Sequence, residues 1–147
     1  AEESGIPVAL MASNFLPTVA EIAIKYPRLK LIIDHMGRPS GAQGDNTWES
    51  LPDLLALAKY PNIAVKATGA PSYSNQNYPY RDIHDHIHSI FDAFGPDRTF
   101  WGTDITRMPC SWKECVSLFT EEFSWLTEED KEAVMGRSIC EWLNWNI

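Results

Sequence analysis

Cysteine is scarce in this chain and falls in no useful spacing. Cys110, Cys115 and Cys140 are an odd number without a CxxC pair, so they supply neither a disulfide framework nor a zinc site. Reduced thiols in a cytoplasmic protein are the expectation. Basic residues are also few: twelve against twenty acidic ones give a net charge of -8. Such a charge repels phosphate backbones and anionic lipid, which argues against nucleic-acid and membrane-surface partners. No apolar run approaches the roughly 20 residues that span a bilayer. Gly37, Gly41 and Gly44 lack the order of a GxGxxG or GxxxxGKS/T cradle, so an active-site loop is the better reading of them.

What is present is an apolar fraction of 44% over 147 residues, enough for one core and a single domain, residues 1–147. Short apolar runs alternate with helical periods, the pattern of βα units on a parallel sheet. Strands are expected at Val8 to Met11, Leu29 to Ile33, Ile63 to Ala67 and Thr99 to Gly102. The intervening helices show apolar stripes: Val19, Ile22, Ala23 and Tyr26; then Leu51, Leu54, Leu55 and Ala58; then Ile83, Ile87, Ile90, Phe91 and Phe94. Ser50 with Asp53, and Ser111 with Glu114, resemble capping boxes, and Thr127 to Asp130 starts a further helix. Ile139, Trp142 and Leu143 suit a final packing helix, which Ser138 is placed to cap.

A complete (β/α)8 barrel takes about 250 residues, or roughly 30 per unit. Four units make about half of one, so the expected fold is α/β, half of a TIM barrel, with an opening at Ala1 that reads as internal. Open strand edges invite pairing, which predicts a missing N-terminal half-barrel or a homo-oligomer.

In parallel α/β folds, reactive groups sit at the C-terminal ends of strands. His35, Lys66 and Asp104 stand there. Alternation puts Leu31, Ile33 and His35 on one face, and Phe100, Gly102 and Asp104 on one face, so His and Asp are expected to meet over the barrel interior. Gly102 is expected to leave room beneath the carboxylate. A shielded carboxylate makes a good general base, and a nearby imidazole can polarise a carbonyl or bind zinc.

The segments Ile33-Asp34-His35-Met36-Gly37-Arg38-Pro39, Asn62-Ile63-Ala64-Val65-Lys66 and Trp101-Gly102-Thr103-Asp104 resemble the strand 6, 7 and 8 signatures of the amidohydrolase-related (amidohydrolase 2) family. The DHMGRP string is similar to its lactonase branch, which includes 2-pyrone-4,6-dicarboxylate hydrolase. The resemblance implies strands 5 to 8 of the barrel, a small-molecule substrate, Asp104 as the proton acceptor from the hydrolytic water, and His35 as a metal ligand or a holder of substrate and water. If a metal such as zinc is used, His35 and Asp104 are its candidate ligands. The family's strand 1 HxH pair is missing because no strand 1 is present, so this chain is not expected to assemble the full site alone. Met11-Ala12-Ser13 ends the first strand without a histidine, which argues against a binuclear metal centre and agrees with the lactonase branch, some members of which are metal-independent.

Lys66-Ala67-Thr68 stands where the family often has Lys-x-Ser. Lys66, Thr68, Tyr73, Arg38 and Arg107 are the candidate substrate contacts, Lys66 being equally suited to an interior ion pair. No arginine lies between Gly69 and Tyr80 to grip a dicarboxylate, so a more neutral sugar lactone is expected. His84, His86 and His88 interleave with a buried stripe and read as a solvated helix face, since two histidines do not complete a zinc site. The leading function is lactone hydrolysis. The alternatives are a metal-dependent decarboxylase or hydratase of the same family, and a non-catalytic scaffold.

Overall fold

The computed structural model describes residues 1–146, apart from the side chain of residue 45. Strands β1 (Val8–Leu10), β2 (Leu31–Ile33), β3 (Ile63–Thr68) and β4 (Thr99–Gly102) form one parallel sheet in the order β1-β2-β3-β4. Helices α1 (Leu16–Lys25), α2 (Leu51–Leu55) and α3 (His84–Phe94) connect them. β2 begins later than expected because Leu29 still belongs to the turn out of α1, its amide donating to the Tyr26 carbonyl.

One sheet face is packed by these helices. Leu31, Ile33, Ile63, Val65 and Ala67 share a core with Val19, Ala23, Leu54, Leu57, Ile87 and Ile90, all 2% exposed or less. The opposite face carries Ile32, Ala64 and Phe100, covered by Ile139, Trp142 and Leu143 of α6 (Ser138–Leu143). The expectation that Leu31 and Ile33 line the inner face with His35 is therefore corrected: they face the helices, and Ile32 and Asp34 hold the inner parity.

Two expected caps, at Ser138 and Ser50, are also corrected. α4 (Trp112–Ser117) and α5 (Glu128–Glu132) each open on a full capping box, Ser111 with Glu114 and Thr127 with Asp130. α5 then continues through a π-helical stretch, Ala133–Arg137, directly into α6, so Ser138 is an interior residue and caps nothing. Ser50 precedes α2, but its side chain makes no cap. Its carbonyl is occupied by Leu54 N and Arg38 Nη2 instead.

Candidate active site

The chemistry-bearing residues sit just past the strand ends, in backbone that the strand rule does not reach. Past β2, the turn Asp34–Gly37 puts His35 at φ 51°, ψ 39° and Met36 at φ 55°, both left-handed. Past β4, Asp104 has φ 58°, ψ 50°. Such residues cost on the order of 1–3 kcal/mol each and persist where surrounding packing holds them. Met36 supplies that packing at β2, with 0% of its surface exposed. The turn swings the imidazole over the inner face, which parity alone would have denied it.

There His35 and Asp104 do meet. His35 Nε2 lies 3.9 Å from Asp104 Oδ2, both side chains about a quarter exposed. On the far side of the ring, Nδ1 is 2.7 Å from Thr68 Oγ1. The Arg107 guanidinium reaches the same Asp104 Oδ2 at 3.4 Å and is tied to the Ser40 hydroxyl. Gly102 leaves no room beneath the carboxylate, because a Cβ there would stand 2.6 Å from Thr68 Cγ2. That space belongs to the threonine methyl.

Lys66 Nζ is 2.7 Å from Asp34 Oδ1, so of its two expected roles the structure shows the ion pair. Asp34 shares the inner parity of Ile32, which brings it to Lys66. Arg38 is not at the mouth. It is 3% exposed, donates to the carbonyls of Met36, Thr47 and Ser50, and lies over the Trp48 ring, so its donors clasp a loop.

Tyr73 is 5% exposed in the turn after β3 and packs edge-on to Trp48. Burial raises its hydroxyl above the usual tyrosine range, with Asp104 adding to the effect and Arg107 and Arg38 opposing it. It is therefore a hydrogen-bond donor at working pH. The α3 histidines are half-buried rather than solvated: His84 bonds the Pro79 carbonyl, and His86 and His88 stack on Trp48 and Trp125.

The loops that carry Tyr73 and Arg107 also bound a cleft of about 520 Å³ lined by Gln43, Asn75, Gln76, Asn77, Tyr78 and Tyr80. Neither His35 nor Asp104 lines it. Among the described residues, no group of three or more His, Cys, Asp or Glu is arranged to hold a metal. His35 and Asp104 are two donors where a catalytic zinc takes three from protein, so they do not by themselves fit one.

The chain matches the family model described as amidohydrolase over residues 1–138. It belongs to that family. It is 30% identical over 97 residues to an L-fucono-1,5-lactonase of Burkholderia ambifaria, covering 65% of this chain and 33% of the relative. It is 34% identical over 108 residues to a 4-sulfomuconolactone hydrolase of Hydrogenophaga intermedia, covering 67% and 34%. A zinc-bound amidohydrolase of Burkholderia multivorans superposes with a TM-score of 0.81 at 22% identity, covering 97% of this chain and 54% of the other. The chain thus spans about a third of the curated relatives it matches and half of that structure. The shared fold is the TIM-barrel fold of this family.

Proposed function

We infer that this amidohydrolase opens a cyclic ester, with Asp104 taking a proton from the water that attacks the lactone carbonyl. The observation that carries this is the 3.9 Å gap between His35 Nε2 and Asp104 Oδ2. It is too long for a direct hydrogen bond, and an oxygen atom placed between them meets both at roughly 2.7–2.8 Å. A water there accepts from or donates to the imidazole while facing the carboxylate, and a carbonyl beside it draws on the same imidazole. The two curated relatives, both named for lactones, support the substrate class.

Arg107, half-exposed beside Asp104, is the substrate-facing cation of this reading; Tyr73 and Thr68 border the same space, and Lys66 is held back by Asp34. The cleft offers the carboxamides of Gln43, Asn75, Gln76 and Asn77 together with the Glu114 carboxylate and no cation, which suits sugar hydroxyls better than carboxylates. β1–β4 correspond to strands 5 to 8 of the barrel, and the remaining half, or a second copy, closes the mouth. Three free thiols suit a reducing, cytoplasmic setting. His35 and Asp104 would hold a divalent metal such as zinc only with further donors, and such a metal would supply Lewis-acid polarisation.

The experiment is a product assay on the purified enzyme. Neutral sugar δ-lactones are expected to release acid, one proton per ester opened. Carbon dioxide release from aromatic carboxylates, with every lactone inert, establishes the decarboxylase alternative instead.

A further inference from the structure

We propose that Thr68 is a positioning residue that fixes His35 as the tautomer carrying its proton on Nε2. The Thr68 hydroxyl lies 2.7 Å from His35 Nδ1 and meets no second acceptor among the described residues. The Thr68 hydroxyl can donate or accept, but the Asp104 carboxylate that faces Nε2 only accepts, which favours the proton on Nε2 and leaves Nδ1 to accept from the hydroxyl. In the neutral ring the proton is then on Nε2, the atom that faces Asp104 Oδ2 across 3.9 Å. The imidazole enters that gap as a donor.

The device spans three strands. Thr68 is the register partner of Gly102 on β4, and a side chain at residue 102 would start 2.6 Å from Thr68 Cγ2. The absence of one seats the threonine methyl against β4. With χ1 of this β-branched residue so set, the hydroxyl is left pointing at His35. The left-handed turn at φ 51° brings the ring to meet it. In that tautomer Nε2 donates to an oxygen, whereas a metal at Nε2 would require the ring proton on Nδ1, donated to the Thr68 hydroxyl. Which oxygen it holds rests on the lactone reading; the tautomer does not.

The test is nitrogen NMR of the protein labelled with ¹⁵N-histidine, at a pH where the His35 ring is neutral. The expected wild-type pattern is a bare Nδ1 and a protonated Nε2. Thr68→Ser keeps it. Thr68→Val moves both His35 shifts toward the average of the two tautomers, and Gly102→Ala does the same with the hydroxyl still present, by displacing it. A wild-type ring with bare Nε2, stoichiometric zinc capturing Nε2, or a Val variant indistinguishable from wild type overturns the proposal. If a variant fails to fold, the wild-type spectrum alone decides. A correct tautomer in a protein that opens no lactone removes the lactone reading and leaves this one standing.

Discussion

The two faces of the sheet obey different rules along the same strands. On the helix-covered face, Leu31, Ile33, Ile63, Val65 and Ala67 are uniformly apolar and buried. On the other, the apolar residues Ile32, Ala64 and Phe100 give way towards the strand ends to Asp34, Lys66 and Thr68, each with a polar partner. The first face is built by burial and the second by pairing, so substitutions on the two have separable consequences.

Leu54, wholly buried in α2, belongs to the first face. Leu54→Ala is expected to cost about 2–5 kcal/mol in urea unfolding and to leave the ¹⁵N shifts of His35 in place. A moved His35 signal would show that the faces are coupled. Arg38→Ala is expected to cost about 1–3 kcal/mol, because three carbonyls lose their donor, with KM unchanged. A raised KM at unchanged stability restores Arg38 to the substrate. Asp104→Gly relieves a left-handed residue at φ 58° and is expected to gain about 1 kcal/mol in thermal unfolding while losing activity. A variant no more stable than wild type removes backbone strain from the description of the strand tips.

Much of this was legible in the sequence. The four strands, the helices, the cap at Ser111 and the helical start at Thr127 follow from periodicity and local hydrogen bonding, and the structure shows them, although Tyr26 falls beyond α1 and is exposed. His35 and Asp104 were found by their place at strand ends, and the structure brings them together. The inner face of β2 was assigned one residue out of phase, because alternation was carried through His35, where left-handed backbone breaks it. That slip hid Asp34, the partner of Lys66. The clasp made by Arg38 depends on carbonyls far along the loop, which no local pattern announces.

Water activation by the proposed carboxylate at the tip of β4 is tested most directly by Asp104→Asn, since the amide keeps the shape and loses the base. In the active enzyme, kcat for lactone opening is expected to fall about 10²- to 10⁴-fold with substrate binding little altered. Turnover equal to wild type would contradict the account.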